Sequence, residues 1–298
     1  MLKLILIITL GVPDVSEMER AYTQWLGYTV EAQGEVDKDL ARAWDAPKMA
    51  GRKYALMRPE SKANIYLRFV QVKPAEGYVP MKTFGWNAIE MLAQDLDKLN
   101  TRLGQPDSPF KIVGVPRPLG PNSPISAMQV VGPAKEVLYL THIPPNPDRP
   151  NGSAKTLVDR PFILIVSSPE LESHREFWGT AMGAQVGGVT RGRLTVLNKA
   201  QGLDIETTHP YSVARVSPEY SIEIDGYPPG SLVRPVRKGE LPPAMAMVGF
   251  EVESLDQVKV PLLAPARAIK SAPYNGRRVG VVRGKGGELI ELIETATR

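Results

Sequence analysis

The sequence predicts an α+β protein built from tandem βαβββ units, and three observations support this fold class. A stretch near the start, Asp14–Tyr22 followed by Leu26 and Gly27, is echoed by Glu170–Trp178 followed by Met182 and Gly183. Each of these helix-like stretches follows a short apolar run typical of a buried strand. A segment rich in Pro, Gly and Asn separates the two copies. A repeat of this length indicates two copies of one module.

The first unit begins with an apolar run, Leu4–Leu10, which predicts a strand rather than a secretory signal. A helix is predicted over Val15–Leu26. Asp14 is suited to its N-cap and Gly27 to its C-terminus. Three more strands are predicted around Ala41–Trp44, Lys53–Arg58 and Ile65–Val72.

The second unit repeats this order. A strand over Ala88–Ala93 leads through a capping Asp95 into a helix over Leu96–Leu103, which Gly104 ends. Three strands near Phe110–Val113, Ile125–Val131 and Val137–His142 complete it. The second half of the chain follows the same pattern, starting from Phe162–Val166, and Phe250–Asp256 echoes Ile89–Asp97. We therefore predict a first module over residues 1–146, a linker over 147–157 and a second module over 158–298.

Composition excludes several classes of protein. The 298 residues are 43% hydrophobic and 23% charged, as in soluble globular proteins. A net charge of +4 with scattered basic residues offers no stripe for nucleic acid. No apolar run approaches the roughly 20 residues that span a bilayer, so we expect no membrane contact. The absence of cysteine fits a reducing, cytoplasmic location.

Four motifs then carry a family resemblance: Asp14 with Leu26-Gly27, its echo in the second half, Asp95-Leu-Asp97, and a last strand of the form Gly287-Glu-Leu-Ile-Glu-Leu292. With this spacing the chain resembles the vicinal oxygen chelate superfamily, which includes glyoxalase I, bleomycin-resistance proteins and extradiol dioxygenases, in its two-module form. The resemblance implies cup-shaped mixed sheets that curl around a pocket, with helices outside. Fold alone does not fix the reaction.

The resemblance also implies where a metal would bind: at a histidine seven residues before each helix-capping residue and at a carboxylate on each last strand. The first rule gives only apolar residues, namely Ile7, Ala88, Ile163 and Met247. The second gives Tyr66, Tyr139, Asp204 or Glu206, and Glu291. Neither module therefore offers the three protein ligands of suitable type that a catalytic metal site needs, and we predict no metal and no cofactor. His142, His174 and His209 are interpreted as surface or loop histidines.

Strand alternation predicts which side chains share the pocket with these positions. In the first module they are Ile7, Thr9, Tyr66, Arg68, Trp86, Ala88, Glu90, Tyr139 and Thr141. Glu90, Arg68 and Tyr139 are the predicted catalytic residues: a base, a cation that binds an oxyanion, and a proton donor. The others are predicted to bind substrate. A structural ion pair between Arg68 and Glu90 is the alternative.

The sequence thus predicts a metal-independent isomerase or lyase acting on a hydrophobic, aromatic carbonyl or carboxylate compound. A second hypothesis is a protein that sequesters such a ligand without chemistry. An extradiol-type dioxygenase fits the length but lacks the ligands. The expected partner is a hydrophobic small molecule, and a homo-oligomer is compatible with the sequence.

Overall fold

The computed structural model describes residues 2–148 and 152–295. Its strands are β1 (Leu2–Val12), β2 (Tyr28–Glu35), β3 (Lys53–Pro59), β4 (Tyr66–Gln71), β5 (Gly85–Ala93), β6 (Lys111–Pro118), β7 (Ser126–Val131), β8 (Val137–His142), β9 (Val158–Ser168), β10 (Gln185–Val186), β11 (Thr190–Gly192), β12 (His209–Ser217), β13 (Tyr220–Gly226), β14 (Ala244–Val252), β15 (Arg267–Ala268), β16 (Arg278–Arg283) and β17 (Leu289–Glu294). The α-helices are α1 (Val15–Ala21), α2 (Lys38–Ala43), α3 (Leu96–Leu103), α4 (Leu171–Glu176) and α5 (Thr195–Gln201). Short 3-10 turns occupy Pro47–Met49 and Leu255–Gln257.

The predicted helix signals are confirmed at the ends of α1. The Asp14 side chain accepts hydrogen bonds from the backbone N–H groups of Ser16 and Glu17. The helix continues as π-helical turns through Tyr22–Leu26, and Gly27 ends it in the left-handed region, with φ of 75°. A side chain at that φ is strained, so glycine suits the position.

The strand predicted around Ala41–Trp44 is wrong, because this segment forms α2. Asp37 caps that helix, accepting from Leu40 N at 2.7 Å. Leu40, Ala41 and Ala43 are buried on one side of it. A six-residue helix is too short for its 3.6-residue period to stand out from strand alternation.

The strands form two mixed sheets. The first sheet has the order β15-β16-β17-β14-β1-β4-β3-β2. The second sheet has the order β10-β12-β13-β9-β5-β8-β7-β6, with β11 beside β12. The central contacts are antiparallel, between β1 and β14 in the first sheet and between β5 and β9 in the second.

This pairing corrects the predicted modules. Units one and four of the chain build the first sheet, and units two and three build the second, so neither half of the sequence makes a sheet of its own. The repeat marks the units, but every unit begins with a strand whose edge can pair with that of any other unit. The predicted linker lies between β8 and β9, and its residues 149–151 fall outside the described residues.

A large shared core lies between the sheets. Helices α1 and α3 contribute buried apolar side chains to it, as do the π-helical turns Phe177–Ala181 that continue α4, together with one face of each sheet. We call the opposite face of each sheet its pocket face. Helix α2 covers the pocket face of the first sheet, and α5 covers part of that of the second. No helix within residues 2–148 and 152–295 has the length and apolar character needed to cross a bilayer.

Candidate active site

A closed network of polar side chains fills the pocket face of the first sheet. The Arg68 guanidinium donates through Nη2 to Thr9 Oγ1 at 2.7 Å and lies 3.3 Å from Glu291 Oε2. Trp44 Nε1 and the Tyr274 hydroxyl donate to Glu291 Oε1 at 2.6 and 2.7 Å. Arg68 also donates to Tyr274 and lies over the Trp44 ring, 4.5 Å from its centroid. All five residues are buried.

The charges of this network neutralise one another. Burial alone would lower the pKa of Arg68, but Tyr274 and Glu291 together raise it above its usual value. Burial raises the pKa of the Tyr274 hydroxyl well above its usual value, so this group keeps its proton. With every member hydrogen-bonded and Trp44 packed over the guanidinium, this pocket face is occupied by the protein's own side chains.

The prediction that Arg68 and Glu90 share one pocket is therefore wrong, and so is the alternative of a structural ion pair between them. Arg68 lies on β4 in the first sheet, whereas Glu90 lies on β5 in the second. Of the other predicted site residues, Ile7, Thr9 and Tyr66 belong to the first sheet, and Ala88, Tyr139 and Thr141 to the second.

Trp86 is the one predicted site residue that lies on neither pocket face. It belongs to the shared core, where its ring packs 5.8 Å from that of Trp178, and its Nε1 donates to Leu289 O. A register shift in β5 between Trp86 and Ala88 breaks the alternation from which the inward orientation of Trp86 was predicted.

The second sheet brings polar side chains together in one row across its pocket face. Tyr139 on β8 is in register with Glu90 on β5, and Glu90 with Ile163 on β9. Ile163 is in register with Ser221 on β13, and Ser221 with Arg215 on β12. Residues in register on neighbouring strands project from the same face. The row thus runs from a phenol and a carboxyl at one end to a guanidinium at the other.

Glu90 is the carboxyl of this row, and its surroundings suit proton transfer. It accepts a hydrogen bond from the Thr141 hydroxyl at 2.6 Å and is only 9% exposed. Burial raises the pKa of Glu90 to about 7, Thr141 opposes the rise, and the charge of Glu223 adds to it. A carboxyl with this pKa exchanges protons readily at neutral pH.

Two further carboxyls lie on the same face, on β13. Burial raises the pKa of Glu223. Burial and the neighbouring Glu223 raise the pKa of Asp225 well above its usual value. Two carboxyls this close in a buried site share a proton, because both cannot ionise at low cost. Tyr139 lies near them, and burial raises the pKa of its hydroxyl well above its usual value, so the phenol stays protonated.

A cavity of about 870 Å³ opens at one end of this face. Ile163, Ser221 and Arg215 from the row line it, with Leu92 and Phe162 beside them. The segment Pro144–Asp148 forms part of its wall. The opposite end of the face is closed, because Val196 and Leu197 of α5 pack there in one apolar cluster. Glu90 lies between the closed end and the cavity. A concave, mostly apolar space with a few polar groups is the usual form of a small-molecule site.

The fold is shared with proteins of known structure. Glyoxalase I from Zea mays aligns with a TM-score of 0.65 at 13% identity, covering 97% of this chain and 92% of that one. A predicted dioxygenase from Bacillus subtilis aligns with a TM-score of 0.65 at 12% identity, covering 99% of this chain and 86% of that one. The chain has the two-module vicinal oxygen chelate fold. No protein-family model matches the sequence, and neither does any curated protein.

Register places four side chains at related positions of the vicinal oxygen chelate fold. Arg68 and Glu291 occupy the same place in units one and four, and face each other as an ion pair. Tyr139 and Glu223 occupy that place in units two and three. The acid is thus neutralised by a cation in the first sheet, whereas a phenol lies at the opposite position in the described residues of the second sheet. This difference marks the pocket face of the second sheet as the candidate active site.

The donor set of the second sheet does not fit the metal that the fold family implies. The related first-strand positions hold Ala88 and Ile163, which have no donor atoms. Within the described residues, no three His, Cys, Asp or Glu side chains lie together in a way that could hold a metal ion. In the first sheet, Ile7 and Met247 replace imidazoles, and Glu291 is already bound to Arg68, Trp44 and Tyr274.

Glu223 and Asp225 are not among the predicted site residues, because Asp204 or Glu206 was the residue expected on the last strand of unit three. Those two residues follow α5 as an exposed segment, and the strand is β13 instead. The alternation of Ser221-Ile-Glu-Ile-Asp225, apolar on one face and polar on the other, is the signal that would have found it.

The interpretation of the histidines as surface or loop residues is wrong for two of them, which are buried and lie in α4 and β12. His174 is fully buried, with its Nε2 2.6 Å from Glu288 Oε1, and His209 is 4% exposed.

Proposed function

We propose that this protein is a metal-independent enzyme that moves a proton on a small hydrophobic carbonyl or carboxylate compound, as an isomerase or a lyase. One observation carries the proposal: Glu90, with a pKa of about 7, lies in one row with Ile163, Ser221 and Arg215, and these three residues line the cavity of the second sheet. A base works best when its pKa is near the working pH.

In this proposal Glu90 takes a proton from the carbon beside a carbonyl group, and the electron pair of the C–H bond moves toward the carbonyl oxygen. The proton then returns to a different carbon in an isomerisation. In an elimination, a group leaves from the neighbouring carbon instead.

The negative charge that develops on oxygen needs hydrogen-bond donors. Tyr139 supplies a protonated phenol, and the carboxyl proton shared by Glu223 and Asp225 supplies a second donor. A carboxylic acid kept neutral by its surroundings donates a hydrogen bond that a carboxylate cannot. These neutral donors bind the oxyanion in place of Arg68, which was predicted to bind it but is paired with Glu291 in the other sheet.

The experiment is hydrogen–deuterium exchange of carbon-bound protons in D₂O, followed by proton NMR on a panel of aromatic and aliphatic α-CH ketones and acids. We expect the wild-type protein to catalyse exchange on some members. Glu90→Gln is expected to lower the rate about 10²- to 10⁴-fold and to retain ligand binding. Glu172→Gln, on the exposed surface of α4, is the matched control and is expected to leave the rate unchanged.

A second candidate function is sequestration without chemistry. The size of the cavity, about 870 Å³, supports it, because pockets of this size enclose drug-sized ligands. Ligands that bind in the cavity but undergo no exchange with the wild-type protein would favour sequestration over the proton-transfer proposal.

A further inference from the structure

Among the described residues, the cavity of the second sheet carries one cation whose side chain has no partner. Four charged residues of residues 2–148 and 152–295 line it: Asp148, Arg160, Arg215 and Glu219. Arg160 faces Glu219 at 4.0 Å and lies over the Tyr220 ring. The Arg215 side chain makes no hydrogen bond or ion pair within the described residues, and no ion pair joins it to Asp148 there. It is exposed to the cavity from β12.

Arg215 stands at a fixed place relative to Glu90. The two residues end the stretch Glu90–Ile163–Ser221–Arg215, which crosses four adjacent strands. Neighbouring strands are about 4.8 Å apart, so the Cα atoms of Glu90 and Arg215 are separated by roughly 14 Å. Between them lie Ile163, an apolar surface, and Ser221, a hydroxyl.

We infer that the ligand of this cavity is an organic anion with a carboxylate at one end and a flat apolar body. The Arg215 guanidinium binds the carboxylate, and the body lies over Ile163 with its far end beside Glu90. A guanidinium matches a carboxylate through two parallel hydrogen bonds, which a neutral group of the same shape cannot reproduce. The inference rests on the proposed function only in placing the ligand in this cavity.

The apolar walls of the cavity determine which ligand can fill it. Leu92, Ile125 and Phe162 line the cavity beside Ile163. A small sugar or phosphate ester would leave these walls unfilled and would lose its own hydration without replacement. An arylcarboxylate satisfies the walls with its ring and Arg215 with its charge.

The test compares acids with their primary amides, which have nearly the same shape but no charge. The probes are benzoate, phenylacetate and 2-naphthoate against benzamide, phenylacetamide and 2-naphthamide, titrated into the full-length protein by calorimetry or ligand-observed NMR. We expect at least one acid to bind the wild-type protein about tenfold more tightly than its amide. The preference is expected to vanish in Arg215→Gln and to be partly retained in Arg215→Lys.

The controls separate this inference from the proposed function. Arg42→Gln, which removes an exposed arginine of α2 at the first sheet, is expected to keep the preference for acids. Equal binding of acids and amides, an unchanged preference in Arg215→Gln, or binding of none of the acids overturns the inference. A preference for acids that depends on Arg215, in a protein that catalyses no exchange, supports the inference and defeats only the proton-transfer proposal.

Discussion

At the scale of single residues, the two pocket faces differ in the groups that surround a buried carboxyl. Glu291 lies beside the Arg68 guanidinium, accepts hydrogen bonds from the Tyr274 phenol and the Trp44 indole, and is closed off from solvent. Within the described part of the chain, Glu90 accepts a hydrogen bond from one hydroxyl and has no cation beside it, and burial raises its pKa to about 7, so it exchanges its proton near neutral pH. The same fold therefore pairs a buried carboxyl with a cation in one sheet and leaves a proton available for transfer in the other.

The Arg68–Glu291 pair gives a prediction about stability. Arg68→Met leaves the Glu291 carboxylate buried without its cation, so the free energy of unfolding should fall by about 3–5 kcal/mol. Urea denaturation followed by fluorescence measures this loss.

Two companion variants make that prediction specific. Arg68→Met combined with Glu291→Leu removes both charges and should recover part of the loss. Arg278→Gln breaks an exposed ion pair with Asp256 and should change stability by less than about 1 kcal/mol. A loss in Arg68→Met no larger than that in Arg278→Gln would show that the network is not the buried charge pair described above.

At the scale of elements, two short helices decide which pocket face stays open. Helix α2 with Trp44 fills that of the first sheet. Helix α5 covers only one end of that of the second and leaves the cavity at the other. Neither helix belongs to the repeated βαβββ pattern. The pocket is therefore shaped by insertions in the repeat rather than by the repeat itself.

The turn between β16 and β17 gives a prediction at this scale, because this turn of the first sheet packs against β5 and β9 of the second sheet. A Cβ at Gly286 would lie 2.1 Å from the backbone oxygen of Ser167 and 3.1 Å from Gly85 N. Gly286→Ala should therefore push the turn away from β5 and β9, and should lower the free energy of unfolding by about 1–3 kcal/mol. Thermal denaturation checks the loss.

Gly188→Ala is the matched control for that variant. A Cβ at Gly188 would meet no atom within 4 Å. Its effect should stay within about 0.5 kcal/mol. Equal stability of the two alanine variants would mean that the turn does not pack against the second sheet as closely as described.

At the scale of the whole molecule, buried carboxyls set how stability varies with pH. The pKa of Glu90 and that of Glu136 are both raised by burial, from an ordinary value of 4.5 to about 7. Between these values the native protein holds protons that the unfolded chain releases. The free energy of unfolding should therefore fall as pH rises from about 4.5 to about 7, by on the order of 2–3 kcal/mol for each group.

Urea titrations at pH 5 and pH 8 measure this dependence. Glu223 and Asp225 act in the same direction, since the pKa of each is also raised. The double variant Glu90→Gln with Glu136→Gln should show a clearly smaller difference between the two pH values. A wild-type protein as stable at pH 8 as at pH 5 would contradict the raised pKa values.

The local pattern of the sequence determined much of this molecule. The caps at Asp14 and Asp95 and the C-terminal Gly27 act within one turn of chain, so they predicted α1 and α3 correctly. Strand alternation placed Glu90, Tyr139 and Thr141 on one face, because the direction of a side chain is fixed by its position in the strand. The internal repeat predicted the unit structure, and the resemblance predicted the fold.

The tertiary structure alone decided which units share a sheet. Strands β1 and β14, and strands β5 and β9, pair residues at least 65 positions apart, and the edge of a strand carries no local mark of its partner. That choice separated Arg68 from Glu90, placed Arg68 against Glu291, and brought Arg215 into one row with Glu90. The sequence supplied the chemical groups, whereas the long-range strand pairing determined which of them meet.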